Sequence, residues 1–285
     1  MSVFPATDIA LEGFRLTRER IRVVAIWSAL QVASSLVALV VIMVFAGKEM
    51  AAFTTAAHAG RSLDELARTM EPLMPILLYL TPLNIVVQVL LLAACYRVIL
   101  RPTEERRAFL AVGADEVRLL LVGLYLTFVG IAALALARIL GDALSHAAVA
   151  VGPGGRFLVV GYSAAVVFGA AFLFVRFSLA LPLTFARRKI VIMESWRLTR
   201  GRHWALGGAY FMAFMLAALV YVLGVVIGSV LQSFDTAAIV DAKALLTPGM
   251  IGSTAWMAAI GALISVIVQA PGATALLSLD RPLTK

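Results

Sequence analysis

Six stretches of this chain are apolar for about twenty residues each, and few folds can accept that. A helix needs roughly 20 such residues to cross a hydrocarbon core of about 30 Å. The runs cover about 23–45, 73–96, 119–140, 157–181, 205–231 and 251–270. The last is the most polar at its start and is expected to stop at Pro271-Gly272. No two-residue alternation accompanies them, which argues against a transmembrane β-barrel. Composition agrees: 62% of residues are hydrophobic and 14% charged, against about 45–50% and 25% in soluble domains. The first run is too long for a signal-peptide core and leads into Lys48 without a small-residue cleavage site, so it reads as a retained span.

The arginines orient the spans. On the six-span layout, eighteen of the 24 Lys and Arg residues fall in connections on one side, Arg281 and Lys285 among them. With the acids included, that side carries +9 and the other −1. The positive-inside rule then places both termini in the cytoplasm of a bacterial-type inner membrane. The positive charge hugs span ends and has no soluble domain to organise it, so anionic lipid headgroups are the expected partner and nucleic acid is not.

The chain also repeats itself. Residues 12–20 read Glu-Gly-Phe-Arg-Leu-Thr-Arg-Glu-Arg and residues 194–202 read Glu-Ser-Trp-Arg-Leu-Thr-Arg-Gly-Arg, with six of nine positions identical and Phe14 over Trp196. A fainter copy before the third run places Phe109 at the matching aromatic. The reading is an all-α six-span bundle of three units, about 1–102, 103–184 and 185–285, each an interfacial amphipathic helix followed by a two-span hairpin. In the first copy Asp8, Glu12, Arg15, Glu19 and Arg22 form one helical stripe, with Ala10, Phe14, Thr17 and Ile21 turned away. Such a helix can lie among headgroups or cap its own bundle, and both readings stay open. Phe14, Arg15 and Arg18, with Trp196, Arg197 and Arg200, are the expected interfacial anchors.

The stretch Val175-Arg-Phe-Ser-Leu-Ala-Leu-Pro182, followed by residues 194–202, resembles a bacterial multi-pass family. That family includes the membrane domain found fused to glycerophosphodiester phosphodiesterases, and several stand-alone proteins of unknown role. The likeness covers about residues 176–204. It implies the six-span layout and an association with lipid metabolism; the soluble phosphodiesterase domain is missing, so that activity does not carry over.

Polar side chains inside spans are the remaining pointers to function. Asn84 and Gln88 share a face after Pro82, where a kink is expected, and Gln31, Ser34, Ser35, Ser265 and Gln269 lie in the first and sixth spans. They read either as interhelical hydrogen bonds or as a lipid or ligand groove. Arg97 and Arg176 stand at equivalent places, at the cytoplasmic ends of spans two and four. There they either snorkel or hold anionic lipid phosphate. Gly224 and Gly228 permit close helix approach and imply a dimer only weakly. Cys95 reads as apolar filler, and His58, His146 and His203 are too scattered for a metal. Ser145 and His146 are merely adjacent, and the turn at Gly152, Gly154 and Gly155 precedes no phosphate-loop helix. The expectation is therefore a non-enzyme without cofactor that handles lipids or amphiphiles or supports envelope homeostasis. The alternatives are a scaffold subunit, binding a membrane protein or a second copy, and a small-molecule transporter.

Overall fold

A computed structural model describes residues 6–104, 107–233 and 247–280. Arg106, Lys243, Arg281 and Lys285 of the charge count lie outside the described residues. Ten α-helices follow in order: α1 (Ala6–Glu19), α2 (Ile21–His58), α3 (Leu63–Met70), α4 (Met74–Leu100), α5 (Ala114–Val151), α6 (Gly155–Phe177), α7 (Ala180–Arg187), α8 (Met193–Leu198), α9 (His203–Ser233) and α10 (Pro248–Asp280). Among the described residues there is no strand, and six helical stretches, built on α2, α4, α5, α6, α9 and α10, are long and apolar enough to cross a membrane. The chain is a multi-pass membrane protein.

The helix of the first span breaks where its apolar run ends. Helical dihedrals break at Ala46 (φ −143°, ψ 32°), directly after the 23–45 run, and α2 then continues to His58. The sixth span departs from expectation, for α10 runs through Pro271 and Gly272 to Asp280. An interior proline costs about 3 kcal/mol. Here Ala270, Ala273, Ala275, Leu276 and Leu279 are all buried by surrounding helices. Two fully buried leucines alone contribute about 3–6 kcal/mol, so packing keeps the segment helical where local propensity would end it.

The helix α10 is the axis of the bundle. Its Val266 and Ala270 pack with Val24 and Trp27 of α2 and with Leu91 and Ala94 of α4, and its Leu276 and Leu279 pack with Leu206 and Tyr210 of α9. Gly224 and Gly228 of α9 face Ile260 and Met257, and Trp256 donates its indole N–H to the Gly224 carbonyl at 2.9 Å. The small-residue pair thus serves a contact inside one chain.

The helix α1 is a cap packed on the bundle, and its sides are not those drawn from the charge stripe. Ile9, Ala10, Glu12, Gly13 and Leu16 are buried, while Phe14 is half-buried and Ile21 is exposed. The reason is at Gly13: a Cβ there would stand 2.5 Å from the Ile267 Cα, so only glycine lets α1 approach α10 this closely. Small residues, and not the aromatic, set its docking face. Glu12 is carried into the contact and is neutralised by Arg15 at 2.8 Å.

The three units do not each begin with an amphipathic helix. The first has the 14-residue α1, the third only the six-residue α8, and residues 107–109 of the second form a 3-10 turn with left-handed φ at Ala108 and Phe109. Two local causes stand out. Gly201, at φ +82°, breaks the third copy where Glu19 continues helically in the first. In the second, the carbonyls of Ala108 and Phe109 accept from the Trp27 indole (2.9 Å) and the Arg97 guanidinium (2.8 Å), which holds them in a turn. One element does recur: Thr17 donates to the Gly13 carbonyl at 2.8 Å, and Thr199 donates to the Ser195 carbonyl at 2.9 Å, four residues back in both copies.

The hairpin of α5 and α6 stands apart from the rest. It packs on itself, with Tyr162 donating to the Ala137 carbonyl at 2.6 Å. No described residue of α5 between Val122 and Ala148 is buried, and in α6 none beyond Gly155. Its links to the other helices lie at the arginine-rich end, where Leu119 meets Tyr96, and Phe174 meets Tyr210 and Phe214.

Candidate functional site

Two arginines close the second and fourth spans, and the protein treats them differently. Arg97, in the last turn of α4, is buried. Its Nη2 forms an ion pair with Glu116 of α5, its Nη1 donates to the Phe109 carbonyl, and its guanidinium lies 5.5 Å from the Phe185 ring centroid. Beside it Arg101 donates to Asp115 at 2.9 Å and to the Phe185 carbonyl at 2.6 Å, and Asp115 also pairs with Arg118 at 2.7 Å. The expected headgroup contact at Arg97 is therefore replaced by an internal one. A buried guanidinium must have an anion, and Glu116 supplies it from the start of the next span.

Arg176, in the last turn of α6, has no carboxylate partner among the described residues. Its guanidinium stands 5.0 Å from the Phe172 ring centroid and 4.9 Å from that of Trp196. Cation–π contact of this kind contributes about 0.5–2 kcal/mol. Only Nη1 makes hydrogen bonds, both at 3.4 Å, to the Trp196 carbonyl and the Thr199 hydroxyl. Its Nε is buried without a partner. The two arginines are nonetheless equivalent in one respect, since each donates to the backbone carbonyl of the matching aromatic in the unit that follows its own, Phe109 or Trp196.

Aromatic rings build the wall around Arg176. Trp196 also meets Phe172 and Phe177, and the His203 ring stands 5.9 Å from Phe172. His203 Nδ1 is buried and unpartnered too. Ser195, wholly buried, donates to the Arg176 carbonyl at 2.6 Å and ties α8 to the end of α6. Next to Trp196, the exposed Arg197 lines a cleft of about 630 Å³ with Tyr125 of α5 and residues 190–194. Glu194 in that cleft is paired with Arg187.

The other expected site residues lie elsewhere. Gln88 donates to the Gln31 side chain at 3.4 Å, which joins α4 to α2, and Asn84 is exposed on the apolar surface. Arg97 follows Asn84 by thirteen residues, about 20 Å along one helix, so the three do not line one cavity. Gln269 is half-buried on α10 with Oε1 unpartnered. Arg15 and Arg18 are exposed on α1, and Arg200 is exposed after α8.

Several contributors escaped the sequence reading. Phe172 precedes Arg176 by one helical turn, a spacing that puts both on one face, and Glu116 follows Arg97 across a short connection; both signals were available. His203 read only as a stray histidine. Comparison with protein-family models, with curated proteins and with solved structures gives no match, and nothing in it ties the chain to the phosphodiesterase-associated membrane domain.

Proposed function

We propose that this is a non-catalytic protein of a bacterial inner membrane, with both termini cytoplasmic, that holds a lipid or lipid-like amphiphile where the α5–α6 hairpin meets the rest of the bundle. The observation that carries this reading is the attachment of the hairpin at one end only. Its apolar flanks are open to acyl chains, while Arg197, Arg176 and the aromatic wall stand at headgroup depth beside the cleft. The charge asymmetry of +9 against −1 supports the cytoplasmic assignment of that end. Repeat ancestry, in which an aromatic and a basic residue recur at the start of each unit, supports one origin for the three hairpins.

The test is tightly retained lipid. Ile192→Trp and Met193→Trp fill the cleft and are expected to lower the lipid that co-purifies through detergent exchange at least threefold, measured by mass spectrometry. Met215→Trp, on the exposed surface of α9, serves as the control. Equal lipid in all four proteins would defeat the proposal.

A further inference from the structure

We infer that Arg176 and His203 form a phosphate-binding site on the aromatic wall of α6, α8 and α9, whose ligand presents two oxygens of one phosphoryl group. The inference rests on the amphiphile reading and adds the chemical class of the headgroup.

The argument starts from the contrast between the two arginines. Arg97 has its counter-ion inside the protein, in Glu116. Arg176 occupies the corresponding place with no carboxylate partner among the described residues, and its Nη1 contacts, at 3.4 Å, are long for hydrogen bonds. A guanidinium at a span end, stacked on two rings and with no carboxylate partner among the described residues, is open to an anion from outside the chain. Its geometry narrows the choice. The edge formed by Nε and Nη2 is the one that grips two oxygens side by side, and on this edge Nε is buried with no partner. Phe172 and Trp196 hold the guanidinium plane, so the fork is already oriented before a ligand arrives. A lysine in its place would offer a point charge without the fork.

A second, independent group points the same way. The Nδ1 of His203 is also buried and unpartnered, and its ring meets the same Phe172 that the guanidinium covers. Two unused polar atoms around one aromatic ring match a phosphoryl group better than a halide or a carboxylate. A halide would need neither the fork nor a second polar partner. A carboxylate has only two oxygens, and the fork engages both, whereas a phosphate diester or monoester keeps further oxygens for the imidazole and for Arg197 nearby. Ser195 and Thr199 frame the site, and Thr199 accepts only from Nη1, which leaves the Nε edge without a partner among the described residues.

The shared chemistry could come from a phospholipid headgroup or from a soluble phosphate ester, and the experiment separates them. The full-length protein in dodecyl maltoside micelles, which carry no phosphate, is given dioleoyl phosphatidylglycerol, and retained lipid is counted by native mass spectrometry with and without about 10 mM inorganic phosphate, roughly a hundredfold excess over a site of about 0.1 mM affinity. Retention that persists in phosphate assigns the site to lipid. Retention displaced by phosphate, with phosphate binding seen in titration, assigns it to a soluble ester. Either result requires that Arg176→Lys lower binding of the relevant probe about tenfold and His203→Asn about threefold, with Arg61→Lys, in the connection after α2, near the parent. His203→Asn leaves Arg176 and its stacking in place, so the test survives if Arg176→Lys fails to fold. Parent-like binding by folded Arg176→Lys, or by His203→Asn, overturns the inference. Parent-like retained lipid in the cleft-filling variants, with phosphate binding intact, would sink the amphiphile reading alone.

Discussion

Replacing Glu116 by leucine removes the one carboxylate that faces Arg97, and the cost follows from where the guanidinium sits. Both side chains are only 7% exposed, and with Glu116 gone Arg97 keeps the Phe109 carbonyl and the Phe185 ring, neither of which carries a full negative charge. Breaking a buried pair from one side costs about 3–5 kcal/mol, because a charge is left without compensation. At roughly 2–4 °C per kcal/mol for a large domain, that is a fall in melting temperature on the order of 10 °C. Arg97→Met should lose a similar amount, since Glu116 Oε2 already lacks a partner and its other oxygen then loses one too. The double variant, Arg97→Met with Glu116→Leu, replaces the pair by apolar groups. It should lose only about 1 kcal/mol, the worth of the hydrogen bond to the Phe109 carbonyl. The assay is heat denaturation of all four proteins in one detergent, followed by tryptophan fluorescence. A double variant that melts below both singles, with their losses simply adding, would refute the idea that each charge exists to neutralise the other.

Other contacts give independent tests. Gly13→Ala sets a Cβ against the Ile267 backbone and should cost about 1–3 kcal/mol in melting, while Gly208→Ala, with open space around it, should leave melting unchanged. Trp27→Phe deprives the Ala108 carbonyl of its indole donor and should cost about 1 kcal/mol, read by the same denaturation. Gly224→Leu should loosen α9 from α10 and lower the melting temperature without changing the molecular mass in detergent by light scattering. A mass change there would show that the glycines serve contacts between chains.

Much of the architecture can be read from the amino acids because lipid imposes a single-number test, the length of an apolar run. The 23–45 run and the break at Ala46 agree to the residue. Where the outcome depended on neighbours, the reading failed. Pro271 and Gly272 look like a helix end on their own and become helix interior because the surrounding helices bury the segment around them. The charged stripe of α1 is real in the sequence, yet docking is decided by the missing side chain at Gly13, a close approach that periodicity does not register. For the site, residue type singled out Arg97 and Arg176 and could not separate them. What separates them is whether an acid lies across the gap, and that requires knowing that the start of α5 adjoins the end of α4 while α8 brings Trp196 to the end of α6.

The position of α10 in the chain has a consequence for biogenesis. Every other part of the central bundle packs on a helix that follows all of them in synthesis order. At about 5–20 residues per second, roughly 10–40 s separate completion of α2 from completion of α10. For that interval Val24, Trp27 and Met43 of α2 lie against lipid, which tolerates apolar side chains well, and the Gln31–Gln88 contact, the indole hydrogen bond and the Arg97–Glu116 pair hold the early spans in register. Closure of this bundle therefore waits on one insertion event, in which α10 enters between helices already in the membrane, and a ribosome that stalls before residue 248 leaves a set of spans with no axis to close around.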